Sequence, residues 1–536
     1  MRSPVPVESR RRILCVFPHY TPSFGTFSHA YELMPGVGAF MPPQGLLLIA
    51  AYLPVPWEMR FVDENMGAAS EDDYAWADAV FVSGMHIQAP QIRAIHARAK
   101  RHGKVTALGG SSVSAAPDTY PEFDYLHVGE IGDATDRLIA HLDQSLAPPP
   151  AQVVLETAER LALTDFPLPA FDAVPLKTYL LGSVQFSSGC PYRCEFCDIP
   201  ALYGRQPRLK SPAQLLAELD AFVAQPSHPT VIYFVDDNFI ANRKATRDML
   251  PHLVAWQKRH AYPLQFACEA TLNLAKQTDI LALMREAGFF TVFVGIETPE
   301  LDALKRIDKA HNNAVPMMEA IRTLNAHGLE VTSGIILGLD TETEHSEQRM
   351  IEFIEASQVP VLTMNLLQAL PKTPLWDRLA REGRLVDDPS LESNVRFLRP
   401  HDAVVASWRR IIAHAYAPEN IFARFVHQLD ATYRHRMPLP ARGRLTRANL
   451  RRAFHMGRSI VWQLGVKSDY RRIFWRAAWQ ALRRGQIEAI FNMGFVCHHL
   501  IRFTREALNG EHTASFYDAK ARDESAGRSG EARLSA

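Results

Sequence analysis

Three of the six cysteines, Cys190, Cys194 and Cys197, lie within eight residues, in the segment FSSGCPYRCEFCDIPALYGRQPRLKSP. Thiolates at this density are metal ligands before they are anything else. The other three, Cys15, Cys268 and Cys497, are scattered, so the set makes no disulfide framework and points to a reducing compartment. Structural zinc takes four protein ligands, and no fourth Cys or His stands in the neighbouring sequence. Three thiolates suit an iron–sulfur cube whose remaining iron is free to bind a substrate or cofactor. Zinc stays open as the alternative at this point.

Other polar groups stand at the ends of apolar runs. Asp236-Asp237-Asn238 follow VIYFV, Glu269 follows QFAC, and Glu297 closes VGIE. Polar side chains there are costly if buried without partners, so they face a ligand or cap a turn. The two glutamates suit hydroxyl or amine donors, or structural ion pairs. Cys268 alternates away from its polar neighbour and reads as core.

The elements that must position these residues alternate in type. Strand-like runs at 184–187, 231–235, 265–268, 291–295, 331–337 and 362–367 are separated by helical segments. Six such βα units predict a parallel barrel or partial barrel over 179–390, with its site at the carboxyl ends of the strands. The cysteine loop directly follows the first of them. Upstream, runs at 13–17, 59–62, 79–83, 105–110 and 125–129 predict a five-stranded, doubly wound, Rossmann-like α/β domain over 12–148. Ligands bind outside the carboxyl ends of such strands, which here carry Asp63, Ser83-Gly84, Gly109-Gly110 and Gly129-Glu130. Pro148-Pro149-Pro150 opens an expected linker over 149–178.

From 391 to 512 the chain turns helical, aromatic and basic, and 513–536 reads as a disordered tail. Between 439 and 510 fourteen arginines and lysines, Arg442 and Arg444 among them, face only Asp469, Glu488 and Glu506. With Ile460, Trp462, Phe474, Trp475, Trp479 and Phe491 this is the composition of an interfacial amphipathic surface, or of a basic face over an aromatic core. Cys497-His498-His499 point in different directions on a helix and read as structural. Over 536 residues, 58 Lys+Arg balance 58 Asp+Glu and 47% are hydrophobic, which describes a soluble multidomain protein and argues against nucleic-acid binding. The N-terminus lacks the apolar stretch of a signal peptide, and no run is long enough to span a membrane. A cytoplasmic protein with at most peripheral contact at the inner membrane face is expected.

Cys-x-x-x-Cys-x-x-Cys, with Phe196 before the last cysteine, resembles the radical S-adenosylmethionine (SAM) superfamily. That resemblance implies a [4Fe–4S] cluster on Cys190, Cys194 and Cys197, whose free iron chelates SAM and yields a 5′-deoxyadenosyl radical. It further implies SAM contacts from Phe196, Asp236, Asp237, Asn238, Glu269 and Glu297. A Rossmann-like domain ahead of such a barrel is similar to the cobalamin-binding (B12-binding) subclass, which implies corrin contacts from Asp63, Asn65, Ser83, Gly109, Gly110, Gly129 and Glu130. The Asp-x-His-x-x-Gly signature that supplies a cobalt-ligating histidine is missing. Segments such as YFVDDNFIANR, FACEATLNLAK, VFVGIETPE and LLQALPKTPLWDRL resemble the B12-binding radical SAM proteins that methylate lipids, the hopanoid C-2 methylases among them. The function implied is transfer of a methyl group to an unactivated lipid carbon, with electrons from a flavodoxin- or ferredoxin-type donor. A different radical reaction on another substrate, or a non-catalytic corrinoid or Fe–S sensor, would use the same residues.

Overall fold

A computed structural model describes residues 6–511, except 226, 310–311, 313–314, 389–390, 439 and 441–446. Arg442, Arg444 and the stretch from 513, expected to be disordered, lie outside the described residues.

The first sheet is wholly parallel. Its strands are β1 (Arg12–Phe17), β2 (Glu58–Asp63), β3 (Ala79–Ser83), β4 (Val105–Gly109), β5 (Tyr125–Val128) and β6 (Val153–Glu156), in the order β2-β1-β3-β4-β5-β6. Strand alternation sends Ile13, Cys15 and Phe17 to one buried face and Leu14 and Val16 to the other. Both faces are therefore covered by helices, which is why the strands are apolar throughout. The sixth strand departs from the five expected. Val153–Glu156 comes from the stretch expected to be linker and pairs with β5 at the sheet edge. Once the proline run has ended, its amides are free to join the ladder.

The second sheet holds β7 (Gly182–Val184), β8 (Val231–Phe234), β9 (Gln265–Ala270), β10 (Phe289–Glu297), β11 (Glu330–Leu337) and β12 (Val361–Leu366). They pair in sequence, all parallel, from β7 at one edge to β12 at the other. The barrel is thus a partial one, with the two edge strands unpaired to each other. β7 ends at Val184, where the strand was expected to begin (184–187), because the chain turns after it into a small antiparallel ladder of Ser187–Ser188 with Arg208–Leu209. This ladder carries the chain into and out of the cysteine loop.

Helices from His401–Ala415 to Ile487–Leu508 form the C-terminal region, including a π-helical stretch at Val461–Lys467. Their buried faces merge with the barrel in one hydrophobic core that runs from Phe24 to Ala507. Among the described residues no helix is long and apolar enough to cross a membrane.

Candidate active site

The cysteine loop is shaped by carboxylates from the neighbouring strand. Asp236 follows β8 and accepts hydrogen bonds from the backbone N–H groups of Phe186 (3.1 Å) and Ser187. Asp237 accepts from Gly189 N–H at 2.7 Å. Gly189 itself has φ +95°, and a Cβ there would sit 2.8 Å from the Gly204 carbonyl oxygen, so only glycine fits. Cys190 N–H donates to that same carbonyl at 3.2 Å. At the far side, Glu195 N–H donates to Ile307 O at 2.9 Å, and the Glu195 carboxylate takes two bonds from Arg378 at 2.5 and 3.1 Å.

The three thiols are half-buried within this frame. Burial pushes Cys194 up to about 11 and holds Cys190 and Cys197 above the ordinary thiol range. Without a cation they stay protonated. Three soft donors in one loop fit an iron–sulfur cluster. Beside them lies Lys309, which sequence reasoning missed. Its Nζ is 2.5 Å from Glu297 Oε1 and 5.5 Å from the centre of the Phe196 ring. Burial works against the ammonium, yet the charge of Glu297 and its hydrogen bond, joined by Cys194 and Cys197 wherever they ionise, outweigh it and hold Lys309 above the usual lysine range. Glu297 sits at φ +63°, just past a register shift in β10 that turns its carboxylate toward the lysine.

Asp237 and Glu269 share this end of the barrel. Burial, reinforced by neighbouring carboxylates, raises each to about 7. Tyr233 donates to Glu269 at 3.3 Å. Asn238 is buried; its Oδ1 accepts from Ile240 N–H at 3.3 Å, while its Nδ2 finds no oxygen acceptor and lies toward the Cys190 thiol. Carboxyl groups at that elevated pKa and an amide donor without an oxygen acceptor suit a ligand carrying a positive charge and a carboxylate, as SAM does. Asp236, by contrast, has both oxygens committed to the loop backbone. Cys268 is fully buried in the core.

A cleft with about 1340 Å³ of empty space, mouth included, separates the first sheet from the barrel. Ser83, Gly109, Gly110, Gly129 and Glu130 line it from the strand ends, and Gln185, Ser188, Tyr203 and Asp237 from the barrel side. Leu46, Leu48, Ile49, Leu138 and Ile139 make one wall apolar. Gly110 has φ +97°, and a Cβ there would meet Ser83 Oγ at 2.8 Å. Gln44 Nε2, on the same lining, is buried without a partner. An apolar wall, exposed glycine backbone and an orphan amide donor fit a large, amide-bearing macrocycle such as cobalamin.

Asp63 and Asn65 are not on this lining. Asp63 accepts from Asn65 N–H (2.9 Å), Asn65 Nδ2 (2.6 Å) and Tyr179 O–H (3.0 Å), which ties the end of β2 to the segment before the barrel. Glu130 spans the cleft, pairing with Arg208 at 2.5 Å and Arg160 at 3.1 Å. His127 lines the floor with Nε2 bonded to Thr135 at 2.8 Å, and burial lowers it to about 4. His498 and His499 bond Tyr470 (3.2 Å) and the Ser23 carbonyl (3.1 Å).

Residues 184–354 match the radical SAM superfamily, and 373–513 match a domain of unknown function, DUF4070. The chain is 57% identical over 516 residues to the hopanoid C-2 methylase of Rhodopseudomonas palustris (strain TIE-1), covering 96% of this chain and 98% of the relative. Over 40% of this chain and 41% of the relative, it is 24% identical to the hopanoid C-3 methylase of Methylococcus capsulatus (strain ATCC 33009 / NCIMB 11132 / Bath). In fold it is similar to the radical SAM methyltransferase TsrM of Kitasatospora setae, with a TM-score of 0.57 and 15% identity over 93% of this chain and 100% of that one. The cobalamin-dependent SAM radical enzyme OxsB gives 0.59 and 14% over 96% and 83%. With a three-thiol loop at the mouth of a parallel partial barrel and 57% identity to one relative over nearly the whole length of both chains, this chain belongs to the hopanoid C-2 methylase family of the radical SAM superfamily.

Proposed function

We propose that the protein is a cobalamin-dependent radical SAM methyltransferase that adds a methyl group to C-2 of a hopanoid. The observation that carries this reading is the shared cleft, lined from one side by the strand ends of the first sheet and from the other by residues next to the cysteine loop. A methyl donor held on the first sheet and a radical source held on the barrel would both open onto that space. When bound, the cluster with SAM supplies a carbon radical able to remove an unactivated hydrogen, and the corrinoid supplies the methyl group.

The chain's own residues bind, orient and keep water out. Cys190, Cys194 and Cys197 would hold the cluster, on a loop that Asp236 and Asp237 fix in advance. Asn238 and the raised carboxyls of Asp237 and Glu269 would receive the amino-acid end of SAM. Ser83, Gly109, Gly110 and Gly129 would offer backbone and small side chains to the corrin, and Glu130 would keep the two halves in register. Orientation of this kind is worth several kcal/mol of barrier, which is why no acid–base triad is needed. Electrons would come from a flavodoxin- or ferredoxin-type donor, and the helices after 391 would bring the protein to the membrane that dissolves its substrate.

Anaerobic reconstitution with iron, sulfide and cobalamin, then incubation with hopanoid, methyl-labelled SAM and a low-potential one-electron reductant, followed by mass spectrometry of the products, tests the proposal. A labelled 2-methylhopanoid with matching S-adenosylhomocysteine and 5′-deoxyadenosine is expected. Turnover of SAM to 5′-deoxyadenosine with an unmethylated, rearranged product would replace methyl transfer with another radical reaction.

A further inference from the structure

Nine of the fifteen large apolar side chains that stand exposed among the described residues fall between Leu450 and Ile487. They are not scattered around the helices that carry them. Along Arg447–Ile460 and the π-helical turn after it, Leu450 and Phe454 stand four residues apart on the solvent side, Val461 follows two turns on, and Trp462 and Val466 are again four apart. Along Arg471–Arg483, Trp475, Trp479 and Leu482 do the same, while Phe474, Ala477, Ala478 and Ala481 face the core. The π-helical turn bridges the two helices, and Trp475 Nε1 donates to Gly465 O at 2.9 Å, which sets the exposed side chains of the turn beside those of Arg471–Arg483. Phe454 is 69% exposed, Trp479 60% and Trp462 53%, which is unusual for side chains of this size.

The charge of the same surface says what covers it. Between 447 and 487 there are ten arginines and lysines and one carboxylate, Asp469. Asp469 is taken by Arg505, and of the ten cations only Arg484, on Asp430, has a carboxylate partner among the described residues. Arg451, Arg458 and Arg476 are exposed in the same rows as the apolar groups, and Lys467 Nζ lies 5.4 Å from the Trp462 ring. Large rings and aliphatic groups ringed by uncompensated cations match the boundary layer of an anionic bilayer, with rings among the acyl ends and guanidinium groups on phosphates. A second copy of this chain would set like charges against each other.

We infer that this face is a membrane-docking surface: the row from Leu450 to Val466, with Trp475, Trp479 and Leu482, inserts into the headgroup layer of an anionic phospholipid membrane, and the surrounding arginines bind its phosphates. The inference rests on the lipid-substrate reading and adds where, and by which side chains, the protein meets the bilayer.

The test is co-flotation of the full-length protein with vesicles of phosphatidylcholine alone and of phosphatidylcholine with phosphatidylglycerol. Strong binding to the anionic vesicles, weakened by salt, and weak binding to the neutral ones are expected. Trp462→Ala and Trp479→Ala should each reduce partitioning roughly tenfold. Arg451→Gln and Arg476→Gln should each cost about fivefold. These side chains are exposed, so circular dichroism should not change; Trp475 is left alone because its indole holds Gly465. The variants should methylate detergent-dispersed hopanoid at the parent rate, whereas a wrong functional reading would show as no methylation by any of the proteins, whatever they bind. Flotation equal in parent and tryptophan variants, or none at all, would overturn the inference. So would a lipid-free dimer of the parent that Trp462→Ala/Trp479→Ala turns into a monomer.

Discussion

Removing the ammonium of Lys309 should expose how the cysteine loop is braced. In Lys309→Met a side chain of similar length keeps its contact with Phe196 but leaves the Glu297 carboxylate, 7% exposed, without a counter-ion. At 2.5 Å and an effective dielectric of about 20 the pair attracts by about 7 kcal/mol, most of which offsets the several kcal/mol that burying each ion costs. The intact pair is therefore nearly neutral to stability, while the half-pair is not. Lys309→Met should destabilise by about 3 to 5 kcal/mol, and Lys309→Met/Glu297→Gln should regain at least about 2 kcal/mol of that. Urea unfolding of cluster-free protein, followed by circular dichroism, reads both, and because neither cluster nor SAM is present it reports the pair alone. A single variant that loses less than about 1 kcal/mol, or a double variant no better than the single, would refute the reasoning.

Three further outcomes are expected. Cys190→Ala, Cys194→Ala or Cys197→Ala should each abolish 5′-deoxyadenosine formation and drop the iron content after reconstitution to near zero, measured by colorimetric iron assay and absorbance. Gly110→Ala must accommodate both φ +97° and a Cβ 2.8 Å from Ser83 Oγ, so it should weaken cobalamin binding at least tenfold in an absorbance titration; unchanged affinity would move the corrin elsewhere. His127 is held neutral, its pKa lowered to about 4 from an ordinary 6.5, so its contribution is intact above pH 6.5 and is lost as the pH falls from there toward 4. That loss should reach about 3 kcal/mol in unfolding measurements and vanish in His127→Gln.

The parts legible in the sequence were those carried by local pattern. Three cysteines in one loop identify themselves by covalent spacing, and buried parallel strands by short apolar runs that end on glycine, serine or aspartate. What was hidden is long-range. Lys309 sits among ordinary surface-like residues, and only the twist of β10 at Glu297 brings the two together. Asp236 and Asp237 are adjacent in sequence and alike in type, yet one has both oxygens on the loop backbone while the other also opens onto the cleft; a strand turning by one residue decides which. Asp63 ends a strand just as Gly109 does, but it accepts from Asn65 two residues on and from Tyr179, 116 residues downstream, a partner no periodicity announces. The fourth case is Val153–Glu156, too short and too close to a proline run to read as a strand before β5 offers it an edge.

The start of the thiol-bearing loop is tied down by Asp236, Asp237 and the Gly204 carbonyl, and none of these contacts uses a sulfur atom. Iron occupancy should therefore fall when any one of those three ties is cut, although every thiol is still in place.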